Sequence, residues 1–536
     1  MAGLTKQDEA SASVPRWLVP AARAFAAIEA LFDRVFGSSE NPLHQLGALS
    51  FFFFWIVSAS GIYVYIFFDT SVSGAYDSVR RMTEQWYLGG VMRSLHRYAS
   101  DAFVVTMALH LLREFVKGRW FGFRWFSWVT GVPLIWLVYA SGLGGYWLVW
   151  DELAQFSVIA TAEWLDWLPV FGQTIVHNFI GRGATTDRFF SLLIFLHIGI
   201  PLLLLLGMWI HIYRLSHARS NPSARLGTAV FCGLLLLSLV HPAISQGPAD
   251  LDAVAARLDL DWVYMFAHPL MYASSPGALW AATTLFTMLV AALPILPHPP
   301  PAAKAVVDLE HCNGCSRCFD DCPYVAITMV PRTDGAVHAR QAQVDPELCA
   351  SCGICAGSCP SSTPFRTQTE LKTGIDLPDR SVHALRAKLE GALARLDGDS
   401  RIVVFGCEQA VDVRMLADTT TAGIALPCAG MLPPSFVDYA LRNGAQGVFI
   451  TGCAEGNCNF RLGNRWLTER IEGKREPQLR QAVERERLVV AWYARHEEAG
   501  LREALAGFRK KIGVIASPGT SGETFWRRRR GVGEED

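Results

Sequence analysis

The sequence of 536 residues carries little charge. Only 18% of its residues are charged, and 48 basic and 49 acidic side chains leave a net charge of −1. This balance gives no indication of a nucleic acid or of an acidic partner, since proteins that bind either usually carry an excess of positive charge. The start of the chain also lacks a basic stretch followed by an apolar one, so no cleaved signal peptide is predicted.

Cysteine is scarce in the first half of the chain. Twelve of the 13 cysteines lie after residue 311, in tight clusters. Such short spacings are typical of metal binding rather than of a disulfide framework, and they indicate a reducing compartment for the C-terminal half. A chain of this length is too long for one core, so several domains are expected.

Long apolar runs dominate the sequence before residue 298. A run of about 20 residues crosses a hydrocarbon core of about 30 Å. Six runs are long enough, at approximately 45–68, 95–115, 128–149, 189–213, 226–245 and 277–297. Basic residues follow the second and fourth runs, whereas the longer opposite connections are acidic. The positive-inside rule then predicts a multi-pass protein of the cytoplasmic (inner) membrane, with both termini and the cysteine-rich half in the cytoplasm.

Four histidines recur at one interval in these runs. His96 and His110 lie 14 positions apart in the second run, and His197 and His211 repeat this in the fourth. In a helix this interval spans roughly 21 Å and keeps both side chains on one face. A lone intramembrane histidine is usually a helix contact, but four at matched spacing on two co-directional helices favour function. We therefore predict two haem b irons, with His96 facing His197 and His110 facing His211.

Four glycines share the same interval. Gly47 and Gly61 lie in the first run, and Gly131 and Gly145 in the third. Glycine lets a flat macrocycle approach the helix backbone. Helix packing alone also favours small residues, but it does not predict this interval twice.

Two copies of the pattern C-x2-C-x2-C-x3-C-P follow, CNGCSRCFDDCP and CASCGICAGSCP. In this pattern three thiolates bind one [4Fe–4S] cluster, and the fourth binds the cluster of the other motif. One predicted ligand set is therefore Cys312, Cys315, Cys318 and Cys359, and the other is Cys349, Cys352, Cys355 and Cys322. The region resembles the bacterial two-cluster ferredoxins over about 60 residues. Zinc is the alternative, which the repeated fourfold spacing with proline disfavours.

Three short apolar segments, RIVVFGC, AGIALPC and GVFITGC, each end in a cysteine. With helical segments between them they predict parallel strands, whose carboxyl ends share one edge of a sheet. The converging ligands are Cys407, Cys428 and Cys453, and Cys458 completes four. Four thiolates suit either a [2Fe–2S] cluster or zinc. The segment resembles the delta subunit of methyl-viologen-reducing hydrogenase, and this resemblance favours [2Fe–2S].

Residues 15–225 resemble the cytochrome b of quinol-oxidising bc-type complexes. The likeness rests on three segments, GGVMRSLHRYASDAF, GYWLVWDELAQFSVIATAEW and LPVFGQTIVHNFIGRGATTDRFF. It implies that Arg93 pairs with a haem propionate and that the 151–188 loop borders an outer quinol pocket. Residues 226–297 resemble, more weakly, the next two helices of the family.

Within that second region, LDWVYMFAHPLMY resembles the family's Pro-Glu-Trp-Tyr segment, whose glutamate accepts a proton from quinol. Asp261 stands at the glutamate position, Leu260 replaces the proline, and Val263 is an extra residue. A shorter carboxylate can still act as a general base. Two interpretations stay open with equal weight, since Asp261 can equally cap the helix that follows.

Together these patterns predict a mainly α transmembrane bundle of six cytochrome b-like spans, followed by a small α+β ferredoxin domain and an α/β parallel-sheet domain. The predicted boundaries are 1–225 for the four-helix dihaem domain, 226–297 for two further helices, 298–306 for a proline-rich linker, 307–366 for the ferredoxin domain, 367–399 for a connector, 400–515 for the delta-like domain and 516–536 for a basic tail.

The predicted function is electron transfer between the quinone pool and a cytoplasmic redox partner, as a subunit of a quinone-linked oxidoreductase. The partner classes are a hydrogenase, a formate dehydrogenase or a heterodisulfide-reductase-like flavoprotein, by family resemblance. The direction of electron flow and a homodimeric state stay open. The alternative function is a membrane anchor that docks the cluster domains while its haem path is idle.

Overall fold

A computed structural model describes residues 15–170, 175, 180, 185–255, 257–297, 302–365 and 370–516. The chain divides near residue 300 into two compact units, here called the helical unit and the cluster unit. Parts of the predicted 151–188 pocket loop and of the 298–306 linker, and nearly all of the 516–536 tail, lie outside the described residues.

The described part of the helical unit is built from helices. They are α1 (Val19–Phe36), α2 (Leu46–Phe67), α3 (Ala75–Glu84), α4 (Gly89–Val116), α5 (Trp125–Val149), α6 (Glu152–Asp166), α7 (Asp187–Ile212), α8 (Ala224–Val240), α9 (Trp262–Met265), α10 (Ala267–Ala273) and α11 (Pro276–Ala292).

Side-chain caps set several of these helix starts. The Asp151 carboxylate accepts a hydrogen bond from the Ala154 N–H and begins α6. The Ser275 hydroxyl does the same for Ala278, and Pro276 occupies the first turn of α11. Both arrangements satisfy backbone N–H groups that have no partner within the helix.

Four segments are long and apolar enough to cross a membrane among the residues that the structure describes: Leu46–Phe67, Gly122–Val149, Asp187–Ile212 and Pro276–Ile295. They coincide with four of the six predicted spans. The other two predicted spans coincide with α4, which carries several charged side chains, and with α8, which has only 17 residues. Six spans therefore stay a prediction, of which four agree with the helices found.

The core of the helical unit lies where α2 packs against α4 and α5 packs against α7. Buried side chains from these helices form one apolar cluster, which includes Phe53, Leu95, Phe103, Val138 and Leu204. The two helix pairs thus present the histidines of α4 and α7 to the interior of the same bundle.

The cluster unit contains short strands and helices in its described residues. They are β1 (Val306–Val307), α12 (Arg317–Asp321), β2 (Ile327–Pro331), β3 (Arg340–Val344), α13 (Ile354–Ser358), β4 (Ile375–Asp376), α14 (Val382–Leu393), β5 (Ile402–Cys407), β6 (Thr421–Leu426), α15 (Ser435–Arg442), β7 (Gly447–Ile450), α16 (Gly463–Ile471), β8 (Leu488–Val490) and α17 (Glu498–Ala516).

Two antiparallel pairs, β1 with β4 and β2 with β3, frame the ferredoxin-like region. The later strands form one parallel sheet in the order β6-β5-β7-β8. Cys407 ends β5, and Cys428 and Cys453 follow β6 and β7 within a few residues. Parallel strands direct their carboxyl ends to one edge, so these three cysteines lie at the same edge of the sheet.

Candidate functional site

Two histidines face each other across the helical bundle. The ring centres of His96 on α4 and His197 on α7 lie 6.2 Å apart. A metal ion midway between two imidazoles, bound to each through one nitrogen at about 2 Å, sets the ring centres roughly 6 Å apart. The spacing of this pair therefore fits a single iron between them.

Backbone carbonyl groups fix the tautomer of both rings. His96 Nδ1 lies 3.0 Å from the carbonyl oxygen of Val57, and His197 Nδ1 lies 2.9 Å from that of Ser141. Each carbonyl accepts the Nδ1 hydrogen, which leaves the Nε2 lone pair of each ring for a metal. Metal-bound histidines in proteins are commonly oriented by such a hydrogen bond.

The other predicted pair also comes together. His211 on α7 lies near His110 on α4. The Nδ1 of His211 lies 3.2 Å from the hydroxyl oxygen of Thr130. Because His96 meets His197 and His110 meets His211, the two helices run in the same direction, as the 14-residue intervals predict.

Each predicted glycine lies against one of these imidazoles. A Cβ built on Gly61 would be 2.8 Å from Cε1 of His96, and one on Gly145 would be 2.9 Å from Cε1 of His197. The corresponding distances are 3.2 Å for Gly131 to His211 and 3.4 Å for Gly47 to His110. The contact that the structure shows is with the ring of the ligand, whereas the close approach of a macrocycle stays a prediction.

Replacing Gly61 by valine should displace the His96 ring. We expect haem binding between His96 and His197 to weaken roughly 10- to 100-fold, the usual effect of disturbing the surroundings of a metal ligand. The matched control is Gly199→Val on α7, since a Cβ at Gly199 meets no atom within 4 Å. Haem content per purified chain measures both variants, and equal losses in the two would contradict the proposed role of Gly61.

Arg93, the predicted partner of a haem propionate, lies one turn before His96 on α4. Its guanidinium donates to the hydroxyl of Thr83 and, at 2.7 Å, to the hydroxyl of Ser245. Two protein hydroxyls thus hold this cation at the same end of the bundle as the His96–His197 pair. The pairing with a propionate is untested and stays a prediction.

Asp261, the predicted quinol proton acceptor, caps α9. Its Oδ1 accepts hydrogen bonds from the N–H of Val263 at 2.7 Å and of Tyr264 at 3.4 Å. Its Oδ2 accepts a hydrogen bond from the Tyr146 hydroxyl and forms an ion pair with Arg97. Asp261 thus caps α9 as one interpretation predicts, while its second oxygen pairs with Arg97, the residue that follows His96.

The eight cysteines of the two repeated motifs gather in two cavities of the cluster unit. One cavity is lined by Cys322, Cys349, Cys352 and Cys355. The other is lined by Cys312, Cys315, Cys318 and Cys359. Each cavity takes three thiols from one motif and one from the other, which is the exchange that the spacing predicts.

Burial distinguishes the two cavities. Cys322, Cys349, Cys352 and Cys355 are all buried, whereas Cys315 in the other cavity is exposed. Burial raises the pKa of the Cys352 and Cys355 thiols. Binding of iron there therefore displaces protons, because only the thiolate is a metal ligand.

The four remaining predicted ligands meet at the carboxyl edge of the parallel sheet. The sulfur atoms of Cys407 and Cys453 lie 3.9 Å apart. Hydrogen-bonding contact with the Cys428 and Cys453 side chains lowers the pKa of the Cys407 and Cys458 thiols. Gly463 leaves room for this group, since a Cβ there would lie 2.1 Å from the Cys428 sulfur.

Some ion pairs near these sites are not predicted from the sequence patterns. Arg97 pairs with both Asp101 and Asp261, and Arg470 pairs with Asp321 while fully buried. The spacing of Arg97 and Asp101 on one helix face is a usable signal for their pair. The ion pair between Arg470 and Asp321 joins residues 149 positions apart, and no local pattern indicates it.

Paired imidazoles within apolar helices, followed by twelve cysteines gathered in three groups, define a membrane-bound redox protein. Comparisons with known proteins agree with this class. The family model "Cytochrome b/b6/petB" matches residues 32–219, "4Fe-4S dicluster domain" matches residues 311–363, and "Methyl-viologen-reducing hydrogenase, delta subunit" matches residues 400–515.

Among curated proteins, cytochrome b6 of Porphyra purpurea is 32% identical over 176 residues, which cover 32% of this chain and 80% of that protein. Among solved structures, a chain titled "Hyperthermophilic respiratory Complex III" is 18% identical, covering 48% of this chain and 76% of that chain with a TM-score of 0.41.

Through its residues 32–219 the chain belongs to the cytochrome b/b6 family. It joins this cytochrome b domain to a 4Fe-4S dicluster domain and a hydrogenase-delta-like domain, as the sequence analysis predicts. The chain is thus an integral membrane electron-transfer subunit. The cytochrome b domain implies haem, and the dicluster domain implies iron–sulfur clusters.

Proposed function

We propose that this chain carries electrons between the quinone pool and a cytoplasmic redox partner, through two b haems, two [4Fe–4S] clusters and one [2Fe–2S] cluster. The observation that carries the proposal is the 6.2 Å spacing of the His96 and His197 rings, both held by carbonyl groups with Nε2 left for a metal. When bound, the cofactors supply the redox chemistry, and the protein supplies their ligands and their spacing.

The number of haems rests on the repeat of this arrangement. His110 and His211 lie beside each other, and Gly47 and Gly131 contact them as Gly61 and Gly145 contact the other pair. Fourteen helical residues separate the pairs by roughly 21 Å along the helices, so two irons would lie on opposite sides of the membrane midplane. This favours a path across the bilayer rather than a single structural haem.

Quinone binding is supported by the surroundings of Asp261. Its carboxylate, the Tyr146 hydroxyl and the Arg97 guanidinium form one partly buried polar group. Charged groups removed from water are costly unless paired, and such groups often mark functional sites. Since Arg97 directly follows His96 in the sequence, a proton accepted by Asp261 would be held close to the haem that this histidine would bind.

The last cysteine group is proposed to hold [2Fe–2S] rather than zinc because residues 400–515 match the hydrogenase-delta family. The sulfurs of Cys407 and Cys453 lie 3.9 Å apart, a distance that suits two thiolates bound to one iron or to one zinc ion. The choice of [2Fe–2S] therefore rests on the family and not on this distance.

The cytoplasmic partner is proposed from the hydrogenase-delta-like domain. Residues 400–515 match that family, so a hydrogenase, a formate dehydrogenase or a heterodisulfide-reductase-like flavoprotein is the class of soluble protein that we expect to dock there. The assignment rests on family analogy rather than on the geometry of a site. The series of haems and clusters can carry electrons in either direction, and the reduction potentials of the quinone and of the partner decide which.

The test is reduction of the purified full-length chain by a short-chain quinol analogue without oxygen, followed by b-type absorbance. We expect both haems to be reduced. A membrane anchor with an idle haem path would leave both haems oxidised by quinol while dithionite still reduces them. This second outcome would favour the docking function and overturn electron transfer with quinone.

The variant Asp261→Asn separates the two roles of this residue. Asparagine caps helices about as well as aspartate does, but it does not accept a proton. We expect haem reduction by quinol to slow on the order of 100-fold, as for removal of a general base, while reduction by dithionite is unchanged. If the variant were reduced by quinol at the wild-type rate, Asp261 would serve only as a helix cap.

A further inference from the structure

We infer that the three iron–sulfur sites form a linear series, in which the cubane of Cys322, Cys349, Cys352 and Cys355 is the internal relay and Arg470 joins it to the third cluster. For the presence of the clusters this inference rests on the proposed function. It adds their order and a positioning residue, neither of which follows from the sequence motifs.

Burial supports the order. The ligands of the proposed relay are all buried, whereas the other cubane reaches the surface at Cys315. In the third group, Cys458 is partly exposed while its three companions are buried. The exposed cubane and the third cluster are thus the two ends at which other redox centres can approach, and the buried cubane is enclosed by protein.

Direct packing joins the relay to the third cluster. Ile354 precedes the ligand Cys355 and opens α13. A Cβ on Gly463 would lie 2.1 Å from the Cys428 sulfur and 3.7 Å from Cδ1 of Ile354, and a Cβ on Gly430 would lie 3.0 Å from Cγ1 of Ile354. One side chain therefore bridges the backbone of one ligand set and the surroundings of the other, and two glycines allow the close approach.

Arg470 on α16 occupies the same junction and is 0% exposed. Its Nη1 donates to the carbonyl of Gly430 at 2.8 Å, and its Nη2 donates to the Asp321 carboxylate and the carbonyl of Ile354. Asp321 and Ile354 directly precede the relay ligands Cys322 and Cys355, and Gly430 lies two residues after Cys428.

One donor of this guanidinium is unused. Among the described residues, Arg470 Nε is buried without a hydrogen-bond partner, while Nη1 of the same guanidinium reaches the carbonyl of Gly430, two residues after Cys428. An unsatisfied buried donor is costly, so a sulfur acceptor of a neighbouring cluster would fit it. Hydrogen bonds and net charge near the sulfurs set the potentials of iron–sulfur clusters, so Arg470 is placed to raise the potentials of both neighbours.

The transfer itself moves one electron at each step. One cluster is oxidised as its neighbour is reduced, no bond forms or breaks, and no proton is needed. The electrons enter from quinol or from the cytoplasmic partner of the proposed function.

The order is tested by electron paramagnetic resonance of the full-length chain during stepwise reduction with dithionite. We expect the signal of the third cluster to broaden or relax faster when the relay is reduced. This coupling should disappear in Cys322→Ser and persist in Cys318→Ser, which removes a ligand of the exposed cubane. If the coupling to the third cluster disappeared in Cys318→Ser and persisted in Cys322→Ser, the proposed order would be wrong. Dithionite needs no quinone site, so this result is independent of the quinol experiment.

The role of Arg470 is tested by Arg470→Gln against the matched control Arg465→Gln. Arg465 lies on the same helix with its side chain 62% exposed. Arg475 also pairs with Asp321, so the first variant removes one net positive charge from the junction. We expect lower midpoint potentials for the relay and the third cluster only, and unchanged potentials in the control. Unchanged potentials in Arg470→Gln, or a shift confined to the exposed cubane, would reject the role.

Cluster content of Arg470→Gln distinguishes a tuning role from loss of the fold. If that variant loses iron, Arg470→Lys retains a positive charge, and potentials close to wild type then support the electrostatic role. If the midpoint potentials of Arg470→Lys fall as far as those of Arg470→Gln, the electrostatic role of Arg470 is rejected. The coupling experiment on the wild-type chain decides the order in either case.

Discussion

Replacing His96 by alanine is expected to remove one of the two haems and to leave the clusters intact. The site would lose one of the two imidazoles that would hold the iron, and the carbonyl of Val57 would lose the ring that it orients. The haem between His110 and His211 has its own ligands and should remain. Haem per chain, from the pyridine derivative and the b-type absorbance, measures the change.

A suitable control is His217→Ala, a histidine beyond the end of α7 and outside both pairs. It should retain both haems. The iron–sulfur spectra should be the same in both variants, since the clusters lie in a separate compact unit. If His96→Ala kept its full haem content, the proposed path would lose its membrane section.

Replacing Cys322 by alanine should abolish the relay cubane rather than the cubane of its own motif. Cys322 belongs to the first motif in sequence, but it lines the cavity of Cys349, Cys352 and Cys355. Removing one thiolate of four leaves that cubane incompletely bound, while the cubane at Cys312 keeps all its ligands. We expect the chain to lose the iron and sulfide of one cluster, as measured by chemical analysis and low-temperature spectra.

Cys232→Ala provides the matched control, because Cys232 is an exposed cysteine on α8, far in sequence from the motifs. Its iron content should equal that of the wild type. If Cys322→Ala instead lost the signals of the cubane at Cys312, the exchange of ligands between the motifs would be incorrect.

The repeated intervals made much of the site predictable. Fourteen residues on a helix return to the same face, so His96 and His110 had to share a side, and His197 and His211 likewise. The cysteine spacing fixes which thiols converge, since short loops hold three of them together. The strands that end at Cys407 and just before Cys428 are short, apolar and bounded by turns, so their parallel arrangement was also expected.

Other features depend on tertiary contacts that no local pattern encodes. The carbonyl groups that orient His96 and His197 belong to residues of the neighbouring helices, whose choice depends on how the helices cross. The ion pair of Arg470 and Asp321 joins distant segments. Burying either charge alone is costly, and their mutual attraction offsets this desolvation only when the fold brings both together. For Asp261 the sequence left two roles open, and only the positions of Tyr146 and Arg97 showed that its two oxygens serve different partners.

The composition of α4 has a consequence for biogenesis. This helix bears two of the four imidazoles together with Arg93, Arg97 and Asp101, and it is not among the described helices apolar enough to cross a membrane by themselves. Charged side chains near the centre of an isolated helix oppose its insertion by the translocon. We therefore expect insertion of α4 to depend on its packing against α2 and on haem held by its histidines, so that a shortage of haem would lower the amount of assembled subunit.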